Sequence, residues 1–117
     1  GGEARIMLKR IERLICSEIT TFTTSTFQYA SEISYIGFEG VIAKSGLNVS
    51  WSTKLDKESH IKLVNTLSST TSGLSVTVSK TAVDKAFETS NGANDGSTSQ
   101  EWLDLIATKS NWTISLI

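Results

Sequence analysis

The chain has 117 residues, 20% of them charged, and a formal net charge of -1. This length fits one domain, residues 1–117, that buries roughly two-thirds of the surface of its unfolded chain. Because the charges nearly balance, the basic field that nucleic-acid binding needs is missing, and no apolar run approaches the roughly 18 residues of a membrane span. We therefore expect neither a nucleic-acid partner nor membrane insertion.

The chain opens with GGEA and without an initiator Met. We interpret residues 1–2 as a cloning remnant and the rest as the C-terminal part of a longer protein. The single cysteine, Cys16, excludes an internal disulfide and a zinc site made of cysteine pairs. It is expected to be a buried small hydrophobic residue.

Three apolar segments recur at a fixed spacing and predict strands of one parallel sheet. The segments near 36–38, 74–78 and 112–116 begin 38 residues apart. Upstream, residues 8–11 resemble residues 33–36 at a separation of 25 residues, which indicates an earlier and shorter turn. The intervening segment 47–51 alternates apolar and polar residues, and we interpret it as a short strand off the main sheet.

Amphipathic spacing predicts three helices between these strands, at residues 55–67, 80–88 and 97–109. The expected N-caps are Asp56, Ser79 and Thr98, and Thr98 stands in capping-box spacing with Glu101. Strands that alternate with helices are typical of parallel pairing with right-handed connections. The predicted fold is therefore an α/β solenoid, with the sheet on one face and the helices on the other.

The spacing of Ile33, Ile36 and Phe38 resembles the start of a leucine-rich repeat. Residues 38–67 and 74–116 are similar to the terminal repeats of BspA-like leucine-rich-repeat proteins of gut bacteria and their phages. Residues 14–38 are similar to one further repeat of that type. Val41 stands where regular repeats carry Asn or Cys, a departure that is expected in atypical terminal repeats.

This resemblance implies the last turns of a solenoid with a C-terminal closing unit, exposed at the cell surface or secreted. It implies a role in binding or attachment, with no catalytic residue and no cofactor. The partner class is a protein or a glycan. The turn that contains residues 8–14 forms the edge of the predicted sheet, so we also expect self-association or fraying there.

The predicted binding face is the side of the sheet that points away from the core. If Ile36, Phe38, Leu74, Val76, Trp112 and Ile114 face inward, Gly37, Glu39, Ser75, Thr77, Thr113 and Ser115 align outward in two columns. Such hydroxyl columns also occur as purely structural ladders. Of the three tryptophans, Trp51 is expected to be the most exposed and the one available to a partner, whereas Trp102 and Trp112 are expected in the core.

The other chemistry-bearing residues favour ordinary roles. His60, the only histidine, is expected on the helix surface because Ile61 faces the core. A nucleophile and base pair made of Cys16 and His60 would require the two to meet in space and be accessible. The segment 91–102 fails as an EF-hand loop, which leaves only an irregular calcium site at Asn94, Asp95 and Glu101 as an alternative.

Three functional hypotheses follow. The first is a non-enzymatic interaction module that presents its sheet face to a protein or glycan. The alternative is a structural C-terminal cap that protects the last strand and recognises nothing. An enzyme that uses Cys16 and His60 is a third and weaker hypothesis.

Overall fold

The computed structural model describes residues 8–19, 26–87 and 99–117. The elements in chain order are β1 (Arg10–Ile15), a 3-10 turn (Cys16–Glu18), β2 (Tyr35–Glu39), β3 (Leu47–Asn48), α1 (Lys57–Thr66), β4 (Leu74–Val78), α2 (Lys80–Ala86), α3 (Gln100–Ala107) and β5 (Trp112–Leu116). Every strand pair is parallel. The chain is therefore a mixed α/β protein with parallel sheets and helices.

Two of the predicted strand pairs are confirmed with their registers. In β1 and β2, Ile11 lies opposite Ile36, the separation of 25 residues that the sequence indicated. In β4 and β5, Leu74 lies opposite Trp112, the predicted separation of 38 residues. When two segments alternate apolar and polar residues in the same way, pairing them at matching positions puts their apolar side chains on the same face of the sheet. The sequence match therefore also predicts the register.

The prediction of one sheet is wrong. β1 and β2 form a two-stranded sheet, whereas β3, β4 and β5 form a separate three-stranded sheet in that order. A lone parallel bridge between Ile42 and Leu67 lies outside the named strands. The strand near 36–38 therefore does not pair with the strand at 74–78.

β3 occupies the position beside β4 that the sequence assigned to β2. Leu47 pairs with Val76 and is buried at 1% exposure, and the Ser45 hydroxyl accepts a hydrogen bond from the Ser75 amide at 2.9 Å. A strand can pair along only two edges, and β4 pairs with β3 along one and with β5 along the other. No edge of β4 is therefore left for β2. The interpretation of residues 47–51 as lying off the main sheet is thus also wrong for Leu47 and Asn48.

The three helices are confirmed, and their starts are capped. The Asp56 carboxylate accepts from the Ser59 amide at 2.9 Å, and the Ser79 hydroxyl accepts from the Ala82 amide at 3.1 Å. The cap of α3 is Ser99, whose hydroxyl accepts from the Glu101 amide, while Thr98 lies outside the described residues. Each cap satisfies an amide that the helix itself leaves without a partner.

Ser59 fixes α1 to β2. Its hydroxyl donates to the Asp56 carboxylate at 2.7 Å and accepts from the amide of Ile36 at 2.9 Å. The Asp56 amide also donates to the Ser34 carbonyl at 2.8 Å. The first turn of α1 is therefore held against the start of β2 by polar contacts as well as by packing.

One continuous apolar core joins both sheets and the helices. The predicted inward residues Ile36, Phe38, Val76 and Trp112 are buried, and Leu74 and Ile114 are half-buried. Trp102 is buried at 1% exposure. The described part of the chain has no helix of the length and apolarity needed to cross a membrane.

Candidate binding face

The outward columns on β4 and β5 form as predicted. Ser75 lies opposite Thr113, and Thr77 lies opposite Ser115. Ser75 and Thr113 are exposed, whereas Thr77 and Ser115 are half-buried. We call these four residues the hydroxyl face.

Asn48 extends the hydroxyl face onto β3. It lies opposite Thr77, so Asn48, Thr77 and Ser115 form one row across three strands. Its side-chain oxygen accepts from the Ser50 amide at 2.9 Å, and its side-chain nitrogen has no hydrogen-bond partner among the described residues. The sequence missed Asn48 because the strand that contains it is only two residues long.

Glu39 does not join the hydroxyl face, which corrects the prediction. It lies on β2 opposite Ile15, in the other sheet. Both carboxylate oxygens accept from the guanidinium of Arg13, at 3.1 and 3.2 Å. The Glu39 carboxylate is therefore already paired with an arginine of the neighbouring strand β1.

Gly37 is buried, although it was predicted to lie on the exposed side of the sheet. The pairing of β1 with β2 is irregular between Ile11 and Leu14, and it brings the Glu12 carbonyl oxygen over Gly37. A side chain at position 37 would collide with that oxygen. Glycine is therefore required there by the close approach of the two backbones.

Trp51 is 41% exposed, as expected for the tryptophan available to a partner. Its ring contacts the ring of Tyr29, with centroids 5.1 Å apart, and Tyr29 is 59% exposed. The Ser52 hydroxyl donates to the Ala30 carbonyl at 2.8 Å and ties the two turns together. Tyr29 was missed because it lies in a turn with a positive φ of 67°, a conformation that no apolar pattern signals.

His60 is fully buried, so the prediction of a surface histidine is wrong. Its Nδ1 lies 2.7 Å from the Asp56 carbonyl oxygen, and its ring meets Phe87 and Trp102 edge-on. Nε2 has no hydrogen-bond partner among the described residues. Burial lowers the pKa of His60, against a smaller raising effect of the Asp56 carbonyl, and favours the neutral imidazole.

Cys16 is buried, as predicted, at 2% exposure. Burial raises the pKa of its thiol to about 11, so the thiolate is scarce at neutral pH. With both Cys16 and His60 buried, the enzyme hypothesis has no accessible nucleophile and base.

The alternative calcium site receives no support from the part of it that is described. Asn94 and Asp95 lie outside the described residues. Glu101 forms an ion pair with Lys57 at 2.5 Å. Among residues 8–19, 26–87 and 99–117, no three His, Cys, Asp or Glu side chains come together as a metal site would need.

Comparison with protein-family models, with curated proteins and with solved structures gave no match to this chain. The resemblance to BspA-like leucine-rich repeats therefore stays a prediction. It rests on the residues named for it and on the repeat spacing.

Proposed function

We propose that the chain is a non-enzymatic interaction module that binds a protein or a glycan through the hydroxyl face, with Asn48 and Trp51 beside it. In this proposal the fold is a short leucine-rich-repeat-like solenoid of the BspA-like type. The observation that carries the proposal is the row of outward hydroxyl and amide groups across three paired strands.

The chemistry of this face suits a polar partner. Parallel neighbours lie roughly 4.8 Å apart, so the row presents hydrogen-bonding groups at a regular spacing on a rigid sheet. Hydroxyl groups both donate and accept, which matches peptide groups and sugar hydroxyls equally. Trp51, three residues after the end of β3, adds an exposed aromatic surface, and aromatic residues are enriched in interfaces.

The alternative function, a structural cap, has one observation in its favour. The Asn111 side-chain nitrogen donates to the carbonyls of Ser68 and Thr71 at 2.8 and 2.7 Å, and the Trp112 indole donates to Ser68 at 2.9 Å. These bonds fix the start of β5 to the loop after α1. Against a cap stands β5 itself, which has a strand partner on one side only within the described residues.

Self-association through β1 is a further part of the proposal. Within the described residues β1 pairs with β2 alone, so its second edge offers unpaired backbone groups to another copy. Light scattering behind size exclusion, over a range of protein concentrations, tests this directly. A monomer at all concentrations contradicts it.

The function is tested by a glycan and protein binding screen of the intact chain beside the double variant Ser75→Arg, Thr77→Arg. The matched control is Asn65→Arg, Thr81→Arg, which adds the same charge at exposed positions on α1 and α2. Circular dichroism and thermal unfolding establish that both variants fold.

Binding that the hydroxyl-face variant loses and the control keeps supports the interaction module. Binding that both variants keep places recognition elsewhere and contradicts the proposed face. If no partner binds the folded protein, the interaction module is abandoned in favour of the cap.

A further inference from the structure

A groove of about 430 Å³ lies between the start of α1 and α2. Its apolar floor is made by Leu55, Ala82 and Ala86, and three lysines line it, Lys54, Lys57 and Lys85. This volume lies within the range of roughly 300–1,000 Å³ that is typical of small-molecule sites. None of these residues belongs to the hydroxyl face, so what the groove binds is independent of the proposed function.

The charge in the groove is predominantly positive. Asp56 also lines it, but its Oδ1 already accepts from the amide and the hydroxyl of Ser59. Lys85 has no acidic partner among the described residues. A bound anion would therefore meet at least one ammonium group that no carboxylate of the described residues neutralises.

The other two lysines are paired, but only at the surface. Lys54 contacts Glu32 at 3.0 Å and Lys57 contacts Glu101 at 2.5 Å, with all four side chains at least one-third exposed. Ion pairs of this kind are weak because water screens them, so a ligand anion can compete for the ammonium groups. The Lys57 ammonium also lies 5.6 Å from the centre of the Phe87 ring, which holds it at the junction of α1 and α2.

We propose that this groove binds a small amphipathic carboxylate. The apolar body of the ligand lies on Leu55, Ala82 and Ala86, and its carboxylate contacts Lys85 and Lys57. The ligand class follows from complementarity: an apolar floor selects an aliphatic or aromatic body, and Lys85, the one lining lysine without an acidic partner among the described residues, selects a single negative charge. A neutral apolar molecule would leave the ammonium groups without an anion, and a small hydrophilic anion would leave the apolar floor uncovered.

The test uses three probes with the intact chain: hexanoate, hexan-1-ol and acetate. Titration calorimetry gives the affinities, and NMR shift perturbation identifies the residues that respond. We expect hexanoate to bind about tenfold or more tightly than either comparison probe. The largest shifts should fall at Leu55, Ala82, Lys85 and Ala86.

Two variants separate the contributions of charge and shape. Lys85→Gln should weaken hexanoate binding several-fold and leave hexan-1-ol binding unchanged, and Ala86→Leu should fill the groove and weaken both. Lys44→Gln, an exposed lysine outside the groove, is the matched control and should change nothing. Circular dichroism confirms folding, and Lys85→Gln stays informative if Ala86→Leu misfolds.

Three results would overturn the proposal. The first is the absence of hexanoate binding to the folded protein. The second is equal binding of hexanoate and hexan-1-ol, which would leave the lysines without a role. The third is equal loss of binding in Lys44→Gln and Lys85→Gln, which would indicate attraction to overall charge instead of a site.

Discussion

The imidazole of His60 meets the indole of Trp102 edge-on, with ring centroids 5.8 Å apart and ring planes at 89°. The same imidazole meets the ring of Phe87 at 5.9 Å, and Phe87 contacts Trp102 at 5.4 Å. The three rings come from α1, from the residue that follows α2, and from α3. One aromatic cluster therefore joins all three helices.

We expect the protein to lose stability as the pH falls below about 6.5. Burial lowers the pKa of His60 in the folded state, whereas in the unfolded chain the imidazole titrates near its ordinary value of 6.5. Below that value the unfolded state binds a proton that the folded state does not, so the free energy of unfolding decreases. The loss continues until the pH reaches the lowered pKa of the folded protein. Urea unfolding, followed by tryptophan fluorescence at a series of pH values, measures it.

The variant His60→Phe supplies the control for this pH dependence, because it keeps an aromatic ring and removes the titrating group. A second control, Glu101→Gln, removes the carboxylate that pairs with Lys57 and leaves His60 in place. The dependence between about pH 7 and pH 5 should flatten in His60→Phe and persist in Glu101→Gln. An unchanged slope in His60→Phe would show that other groups cause it.

The variant Trp102→Ala should lower the free energy of unfolding by about 3–5 kcal/mol. The indole is 1% exposed and packs against both His60 and Phe87 in the aromatic cluster. The matched control is Trp51→Ala, where the ring is 41% exposed and about 1 kcal/mol or less should be lost. Chemical denaturation of the two variants compares them directly. Similar losses would contradict the assignment of Trp102 to the core.

The sequence predicted what depends on local pattern. Apolar alternation gave the strands and the registers of β1 with β2 and of β4 with β5, because side chains in a strand have a period of two. Polar residues before amphipathic segments gave the caps at Asp56 and Ser79. The outward columns of the hydroxyl face followed from the same alternation.

What the sequence missed depends on contacts between distant segments. A repeat spacing indicates which segments are alike but not which are neighbours, so β3 could take the place assigned to β2 beside β4. Helical periodicity identified one apolar face of α1, yet α2 and α3 bury His60 as well. The groove between α1 and α2 is lined by two separate segments, residues 53–57 and 82–86, so no single stretch of sequence predicts it.

Gly37→Ala should destabilise the protein by about 3 kcal/mol, because the added methyl group collides with the Glu12 carbonyl and the two strands must separate. Gly73→Ala is the contrasting variant. Its φ of 81° is unfavourable for alanine, but no atom lies within 4 Å of the added carbon, so about 1 kcal/mol should be lost. Thermal and urea unfolding rank the two, and a Gly37→Ala protein as stable as the wild type would contradict the observed pairing.

Ser59→Ala should cost about 1–3 kcal/mol, since the buried Ile36 amide loses its hydrogen-bond acceptor. Ser72→Ala is the matched control, because Ser72 is exposed, and its loss should stay within about 0.5 kcal/mol. Amide hydrogen exchange adds a local readout. The Ile36 amide should exchange faster in Ser59→Ala than in the control, and unchanged protection there would show that the bond contributes little.

Cys16 should react slowly with thiol reagents as long as the protein is folded. The reactive species is the thiolate, and burial raises the pKa of this thiol from 9.0 to about 11 while leaving the side chain 2% exposed. Since each pKa unit reduces the thiolate tenfold, labelling near pH 8 should be at least about 100-fold slower in buffer than in denaturing urea. A Cys16→Ser protein that carries Ser72→Cys places the only thiol at an exposed position and should label rapidly in both conditions. Fast labelling of the native wild-type protein would mean that the turn after β1 opens readily, and the core around Cys16 would then be less firmly packed than its burial indicates.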